Sequence, residues 1–367
     1  MRKIKILEVE ITPNMGGVES LLCNITKKID KNKFQIDFIS NGTADYQKRL
    51  IDFGACIYLM PSIANPVKYK KEFDKVLDND YDIVHFNKNS LANSLPILWA
   101  RSHCTHPKII IHSHNTAPTH KSKLLNLLNA INKRIDSKKC DYKIACSTEA
   151  RDWMFTKDSD VEIVNNGINL KKFTFSPQKR DEMRKRLNID PDTVVIGNVG
   201  RFNRQKNHVE LIKIFDEILK RKTNTKLLLI GQGEEEELVH KMVEERHISD
   251  QVIFVKFTSH VEKYLSAMDI FLMPSLYEGL PIAAVEAQAE GLEVFLSDTI
   301  SKETILTSHA HQFSLKEDPN KIASLILKES YINTNSRRDQ AKVVKQKGFD
   351  LDDTISKIQD IYFLLSE

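Results

Sequence analysis

Short apolar runs alternate with longer amphipathic stretches along most of this 367-residue chain. In the first half such runs begin near Lys3, Phe34, Tyr81, Lys108 and Tyr142, and each ends in polar residues. Helix-like stretches separate them. Strands and helices in alternation predict an α/β fold in which a parallel sheet carries helices on both faces. We therefore expect functional residues at the carboxyl ends of the strands.

The same pattern starts again near Thr193, after a polar linker from Lys171 to Asp192 that contains two prolines. The apolar runs of this second half are VVIGNV, KLLLIG, QVIFVKF, DIFLM and EVFLSD. The sequence therefore predicts two Rossmann-like domains, residues 1–172 and 173–349, with a last helix within 350–367. That helix has apolar residues along one face, which it must bury.

Composition and charge narrow the class of protein. Apolar residues make up 41% and charged residues 28%, as in ordinary soluble proteins, and no stretch approaches the ~20 apolar residues of a membrane span. The first residues, MRKIKILEVEITP, have acids within the apolar run, so we expect no signal peptide. Five cysteines without a C-x-x-C pair predict reduced thiols in a cytoplasmic protein. A net charge of +4 is too small to indicate a nucleic-acid partner.

The stretch from Pro274 to Gly291 carries a strong chemical signal. It follows the apolar run DIFLM, and Pro281 stands where the first residue of a helix would stand. A helix start has free N–H groups and a positive dipole end, which suit an anion. Glu278 and Glu286 would repel a phosphate but suit hydroxyl groups on either side of one, as in a nucleotide sugar. The alternative is an ordinary helix start whose acids favour the dipole.

Two further loops follow strands of the second half. GRFNRQKN offers Arg201, Arg204 and Lys206, which suit a pyrophosphate, although a solvated basic loop has the same composition. GQGEEEE lacks the third glycine of a dinucleotide fingerprint, and its glutamates would face the pyrophosphate. The first loop is therefore the better candidate for binding phosphate.

Histidines are concentrated between His103 and Asn115. His112 and His114 lie two apart on a predicted strand and share a face. A metal site is the weaker interpretation, because no second pair with zinc-like spacing occurs elsewhere. A polar contact or an acid–base group is favoured, and a structural histidine remains the alternative.

The segment 119–139 is basic and amphipathic, with leucines and isoleucines among lysines and one arginine. Such a helix suits the surface of an anionic membrane. A helix that faces the core and has a solvated rim would show the same pattern, so both interpretations stay open.

Taken together, these motifs resemble the retaining glycosyltransferases of the GT-B fold, in particular glycosyltransferase family four, over nearly the whole chain. The segment EGLPIAAVE, from Glu278 to Glu286, matches the family's Glu-x7-Glu motif. The motifs GGVE, HSHN, VNNGIN, GR…QKN and IGQG also fit in order. The resemblance implies two Rossmann-like domains facing a cleft, with the C-terminal helix crossing back to the N-terminal, acceptor-side domain.

The resemblance also implies roles for single residues. Arg201 and Lys206 would bind the donor diphosphate, Glu286 would hold the ribose hydroxyls, and Glu278 would contact the donor sugar. His114 or its neighbour His112 would contact that sugar near the reacting carbon. The remaining nucleotide-sugar residues would be Gly16, Gly17, Gly279, Leu280, Pro281 and Ile282, and Asn166 is a further candidate for contacting a sugar.

This chemistry needs no metal and no cofactor apart from the UDP-sugar as co-substrate, because fixed cations and a helix dipole stabilise the leaving diphosphate. The segments EAQAEGL and SKE resemble the sequences of the exopolysaccharide and capsule branch of the family. That branch implies a UDP-sugar donor, a lipid-linked saccharide acceptor, and a protein peripheral to the inner face of the plasma membrane. The alternatives are a non-catalytic subunit that positions a partner transferase, and a GT-B epimerase or phosphorylase.

Three positions depart from the family pattern. Asn169 replaces a usual aspartate, KFTSH lacks a glycine that is common after its strand, and Glu293 replaces a typical proline. None of them removes a residue to which the resemblance assigns a catalytic role.

Overall fold

The computed structural model describes residues 2–116, 122–136, 139–157, 159–330 and 334–367. The chain forms two compact units. Unit 1 contains the residues up to Gly167 together with Leu351–Glu367, and unit 2 contains Ile168–Asp350.

Unit 1 is built on a parallel sheet in the order β3-β2-β1-β4-β5-β6-β7. Its strands are β1 (Ile4–Ile11), β2 (Phe34–Ser40), β3 (Ile57–Leu59), β4 (Ile83–Lys88), β5 (Lys108–Ser113), β6 (Tyr142–Ala145) and β7 (Glu162–Ile163). Its helices are α1 (Gly17–Lys28), α2 (Gln47–Asp52), α3 (Pro66–Leu77), α4 (Leu95–Ser102), α5 (Lys123–Asp136), α6 (Thr148–Met154) and, at the end of the chain, α14 (Leu351–Ser366). The strand order reverses between β1 and β4, which is the switch point where ligands bind in sheets of this kind.

Unit 2 repeats the architecture with the sheet order β10-β9-β8-β11-β12-β13, again parallel. Its strands are β8 (Val194–Val199), β9 (Thr225–Ile230), β10 (Val252–Val255), β11 (Ile270–Met273), β12 (Glu293–Ser297) and β13 (Ala310–Phe313). Its helices are α7 (Pro177–Arg186), α8 (His208–Leu219), α9 (Glu236–Glu245), α10 (Val261–Ala267), α11 (Ile282–Ala289), α12 (Pro319–Glu329) and α13 (Gln340–Gln346). The switch point lies between β8 and β11.

The predicted strands and the fold class are confirmed, since each predicted apolar run contains a strand of one of two parallel sheets. Three short strands, β3, β7 and β13, have no counterpart in the prediction. Runs of two to four residues are too short for their periodicity to be read.

The C-terminal helix α14 packs on unit 1, as the resemblance implies. Tyr362 is completely buried, and the Phe363 ring lies 4.8 Å from that of Phe34. The apolar face predicted from the spacing of its residues is the buried face.

The predicted linker from Lys171 to Asp192 is wrong as a description, because it contains the helix α7. Ser176 caps this helix by accepting from Lys179 N, and Pro177 is its first residue. The predicted domain boundary at 172/173 also differs from the division after Gly167. Ile168 belongs to unit 2 because its N–H donates to Phe349 O at 2.9 Å and its side chain is buried in the core of that unit.

Candidate functional site

Two loops of unit 2 meet at the carboxyl ends of β8 and β11. Leu276 N donates to Gln205 O at 2.8 Å, and Gln205 Nε2 donates to Tyr277 O at 3.1 Å. Asn207 Nδ2 donates to Pro274 O at 3.0 Å. Asn207 has a left-handed backbone (φ 54°), a conformation that asparagine tolerates better than most residues. These bonds join the predicted phosphate loop to the predicted sugar loop.

An ion pair lies where the two loops join. Lys206 Nζ is 2.7 Å from Glu278 Oε1, and the two side chains are only 16% and 12% exposed. Gly200 leaves room for the lysine, because a Cβ at that position would lie 3.2 Å from Lys206 Cδ. Arg201, from the same loop, is exposed. The predicted diphosphate cation and the predicted sugar carboxylate are therefore direct neighbours.

The helix α11 begins one residue later than predicted. Pro281 is its N-cap, with an extended backbone (ψ 116°), and Ala284 N makes the first helical bond to Pro281 O at 3.0 Å. The amides of Ile282 and Ala283 precede that bond and point out of the helix end. Gly291 ends the helix as predicted, with φ at +72°, and a Cβ there would lie 2.5 Å from Arg337 Cα.

Glu286 lies in the second turn of α11 and is partly buried. Burial raises the pKa of its carboxyl to about 8; the Lys172 ammonium opposes this rise, and the Glu262 carboxylate adds to it. Lys172 itself pairs with Glu262 at 3.0 Å. A carboxyl group in this position can accept a hydrogen bond from a hydroxyl group in either protonation state.

The glycines of GQG serve packing in unit 2. A Cβ on Gly231 would lie 1.9 Å from Gly200 O, and one on Gly233 would lie 2.3 Å from Phe202 O. Phe202 N donates to Gln232 O at 3.2 Å. The glycines thus let the loop after β9 lie directly against the phosphate loop, which explains them without a dinucleotide.

In unit 1, His112 lies within β5 and His114 lies just after the end of that strand. Their ring centroids are 3.9 Å apart, and His112 is buried. Desolvation lowers the pKa of both imidazoles, His112 well below its ordinary value and His114 to about 3, so both are neutral. His114 Nε2 lies 2.9 Å from Asn87 Oδ1.

The other site residues predicted in unit 1 lie at helix and loop starts. Gly16 is the N-cap of α1, and its N–H donates to Glu19 Oε2 at 3.1 Å. Gly17 is the first residue of that helix. Asn166 is buried, and its Oδ1 has no hydrogen-bond partner within the described part of the chain.

Sequence reasoning missed the side chains that hold the histidines. Glu8 and Asn87 are polar residues within the apolar runs of β1 and β4, and both are buried. A buried strand that contains a carboxylate is an anomaly that the sequence does display, so the signal was available. Tyr362 completes the group from α14, and nothing in its spacing distinguishes it from the apolar residues of that face.

Possible metal ligands lie close together in a different part of unit 1 from the histidine strand. In the described residues, one set of three ligating side chains lies close together: Asp78, His103 and Cys104, with ligand atoms within 4.8 Å of one another. It contains neither His112 nor His114.

The helix α5 exposes its apolar face and buries a polar residue, which is the opposite of what a core-facing helix does. Leu124 is 64% exposed and Leu127 57%, and Ile131 is also exposed. The residue buried instead is Asn129, whose Oδ1 accepts from Leu91 N at 2.7 Å. The core-facing interpretation of this segment is therefore wrong for the described residues 122–136. Lys121 and Lys138, which the prediction includes in the basic face, lie outside the described residues.

Comparisons with known proteins assign both halves to glycosyltransferases. A family described as Glycosyltransferase Family 4 matches residues 15–172, and one described as Glycosyl transferases group 1 matches residues 179–346. The chain is 26% identical over 375 residues to EpsF of Bacillus subtilis, covering 99% of this chain and 97% of that protein. It is 22% identical over 386 residues to an Escherichia coli protein named UDP-Gal:alpha-D-GlcNAc-diphosphoundecaprenol alpha-1,3-galactosyltransferase, covering 98% and 97%.

The fold is also that of solved structures. HepE from Anabaena, in complex with UDP, superimposes with a TM-score of 0.81 at 16% identity, covering 97% of this chain and 99% of that one. WaaG, a glycosyltransferase involved in lipopolysaccharide biosynthesis, superimposes with a TM-score of 0.72 at 15% identity, covering 97% and 99%. In the described residues no helix is both long and apolar enough to cross a membrane.

Proposed function

Because the chain belongs to glycosyltransferase family four and has the GT-B fold, we propose that it transfers a sugar from a UDP-sugar, with retention, to a lipid-linked saccharide. It is a glycosyltransferase of polysaccharide biosynthesis. The sugar in this proposal is a hexose or an N-acetylhexosamine, and the product is an exopolysaccharide or a capsule.

The observation that carries the proposal is the Lys206–Glu278 pair beside the start of α11. Loss of the nucleotide leaves two negative charges on its diphosphate. A lysine held in place, an exposed Arg201 and the helix amides of Ile282 and Ala283 together suit that charge. No metal is required in this scheme, because the positive charge is supplied by the chain.

The two carboxyl groups of the site suit different parts of the donor. Glu278 is the carboxylate that lies beside the lysine, so it suits a hydroxyl of the sugar next to the diphosphate. Glu286, whose carboxyl group can accept from hydroxyl groups, suits the ribose hydroxyls on the other side. In unit 1, Gly16, Gly17 and His114 take the roles that the family resemblance gives them.

The names of related proteins favour UDP and a lipid-linked acceptor. HepE has been crystallised with UDP and with UDP-glucose. The name of the Escherichia coli relative specifies a UDP-galactose donor and a diphosphoundecaprenol acceptor. An acceptor of that kind resides in a membrane, which requires the enzyme to work at a membrane surface.

The exposed face of α5 has the apolar and basic side chains that suit a membrane surface. Its exposed leucines and isoleucines lie on the same helix as Lys123, Lys133 and Arg134. Apolar side chains flanked by cations suit the headgroup region of an anionic bilayer. We propose that this face holds the protein at the inner face of the plasma membrane.

Donor chemistry is tested with the purified chain and a panel of UDP-sugars. We expect UDP release with at least one sugar, and a loss of about 100-fold or more in kcat/KM for Arg201→Ala and Lys206→Met. Arg221→Ala removes a positive charge just beyond the end of α8. It is the matched control and should keep full activity. Unimpaired release by both site variants would refute the assignment, and a product with inverted anomeric configuration by NMR would refute retention.

The same experiment separates the competing functions. A non-catalytic subunit would release no UDP until a partner transferase is added. An epimerase or phosphorylase would convert the donor without a saccharide acceptor. Transfer by the chain alone to a lipid-linked saccharide would exclude both.

Membrane binding is tested by sedimentation with liposomes that contain phosphatidylglycerol. We expect Leu124→Gln combined with Leu127→Gln to lower the bound fraction several-fold without changing the melting temperature. Leu364→Gln, which changes an equally exposed leucine on α14, is the control. Equal sedimentation of the double variant and the parent protein would refute the role of α5.

A further inference from the structure

A chain of buried hydrogen bonds runs through unit 1 from the C-terminal helix to His114. Its centre is Glu8, which is completely buried and lies opposite His85 in the pairing of β1 with β4. Burial raises the pKa of Glu8, but attraction to His85 and hydrogen bonds from His85, Asn87 and Tyr362 outweigh it, and the net pKa is lowered. Glu8 is therefore a carboxylate, which only accepts hydrogen bonds.

The carboxylate fixes the orientation of the neighbouring amide. Asn87 Nδ2 lies 2.7 Å from Glu8 Oε2 and must donate to it. Asn87 Oδ1 therefore faces the other way, 2.9 Å from His114 Nε2. An amide oxygen is an acceptor only, so His114 carries its proton on Nε2.

One ring nitrogen of His114 is left as a bare acceptor. The imidazole is neutral, so Nδ1 carries a lone pair and no proton. Nδ1 is buried, and it has no hydrogen-bond partner within the described ranges. An unsatisfied buried acceptor costs about 1–3 kcal/mol, so the site favours a ligand that donates a hydrogen bond there.

The other oxygen of Glu8 accepts a hydrogen bond from the C-terminal helix. Tyr362 Oη donates to Glu8 Oε1 at 2.8 Å, and His85 Nδ1 lies 2.8 Å from the same Tyr362 oxygen. The bond from Asn87 uses the other oxygen, Oε2, so it does not depend on Tyr362.

We propose that Glu8 is a positioning residue that acts through Asn87 to make His114 Nδ1 a hydrogen-bond acceptor, and that this selects a neutral donor sugar. The contact is made by the hydroxymethyl group of the sugar: its hydroxyl donates to the lone pair, whereas the carboxylate that replaces this group in a uronic acid would be repelled. The choice of a donor sugar as ligand rests on the proposed function. The protonation of His114 does not, because it follows from the hydrogen bonds of unit 1 alone.

The protonation state is tested by NMR on protein labelled with ¹⁵N-histidine, with the His114 signals assigned by their loss in His114→Gln. We expect the Nε2–H tautomer at pH 7 in the parent protein. Glu8→Leu and Asn87→Leu should each abolish that preference. Tyr362→Phe is the matched control: it removes a hydrogen bond to the same carboxylate, so it should lower stability and still keep the Nε2–H tautomer.

A purely structural role for Glu8 would lower stability in these variants and leave the tautomer unchanged. If the parent protein shows His114 protonated on Nδ1 or on both nitrogens, the inference is overturned without recourse to any variant. If Glu8→Leu does not fold, the parent protein and Asn87→Leu still decide the question. Retention of the Nε2–H tautomer in Asn87→Leu would also overturn it.

Ligand selection is tested by calorimetry with two matched pairs, UDP-glucose with UDP-glucuronate and UDP-galactose with UDP-galacturonate. We expect the neutral member of at least one pair to bind about fivefold or more tightly than the acid, as one lost hydrogen bond implies. In Asn87→Leu this ratio should fall to about twofold or less. Equal binding within both pairs would overturn the selection of neutral sugars, whereas failure of UDP itself to bind would refute the proposed function.

Discussion

Glu278→Gln should strengthen the binding of UDP while it weakens sugar transfer. Lys206 has two potential counter-charges, the carboxylate 2.7 Å away and the diphosphate of the donor. Replacing the carboxylate by an amide of the same shape keeps the loop geometry but removes the competing charge. The lysine is then fully available to UDP, whereas the sugar loses the carboxylate proposed to contact it.

The size of the first effect follows from the geometry of the pair. At 2.7 Å and an effective dielectric constant of ~20, the attraction between the two charges is about 6 kcal/mol. Desolvation and the ordering of the two side chains cancel most of that, and exposed pairs contribute only about 0.2–1 kcal/mol. For side chains that are 16% and 12% exposed we expect the upper end, about 1 kcal/mol. That corresponds to a dissociation constant for UDP about fivefold lower.

The assay combines calorimetric titration with UDP and turnover of the preferred UDP-sugar. We expect the dissociation constant to fall about fivefold and kcat to fall about 100-fold. Glu217→Gln removes an ion pair of similar length, 2.6 Å, with Lys220 at the end of α8 and should change neither quantity. If Glu278→Gln bound UDP more weakly than the parent protein, the competition inferred from the ion pair would be refuted.

Three further predictions concern stability. Gly231→Ala should lower the free energy of unfolding by about 3 kcal/mol or more, because its Cβ would lie 1.9 Å from a carbonyl oxygen. Gly54→Ala, at φ +96° in open space, is the control and should lower it by only about 1–2 kcal/mol. Equal unfolding midpoints of the two variants in urea would contradict this. Asp269→Ala leaves the buried Arg184 without its 2.7 Å partner and should cost about 3–5 kcal/mol in the same assay, and a loss under 1 kcal/mol would show that the pair contributes little. Burial raises the pKa of Glu293 from 4.5 to about 7, so the folded protein holds a proton that the unfolded chain releases, and stability falls as pH rises through that window. Glu293→Gln should therefore gain melting temperature relative to the parent between pH 5 and 8, and a constant difference would contradict the reasoning.

The candidate site of unit 2 could be predicted from sequence because each part is a local pattern. A strand, a loop and a helix start are contiguous along the chain, and Glu278 and Glu286 lie within one such segment. The sequence also favoured Lys206 as a phosphate ligand over the GQG glycines. What it could not supply was the contact between Lys206 and Glu278, because the two loops are far apart in sequence and meet only through the order of β8 and β11 in the sheet.

The exposed apolar face of α5 shows a second limit of prediction from sequence. Hydrophobic periodicity reveals that one face of a helix is apolar, but it does not reveal whether that face is buried. Leu124 and Leu127 are exposed because Asn129 and Asn132 make the hydrogen bonds that attach the helix to the chain near Leu91. The structure thereby shows that the apolar face of α5 is exposed, and the membrane interpretation stays a prediction.

The sequence by itself determined the two parallel sheets, the helices between them and the loops that end at the strand termini, because these depend on residues close together in the chain. Only the tertiary structure decided which polar side chains meet. Glu8, Asn87 and His114 come from three strand regions, and their hydrogen bonds fix the protonation of one imidazole. Tyr362, from the last helix, donates to the same carboxylate. Such a network depends on register between strands and on the docking of a distant helix, and neither is encoded in any single stretch of sequence.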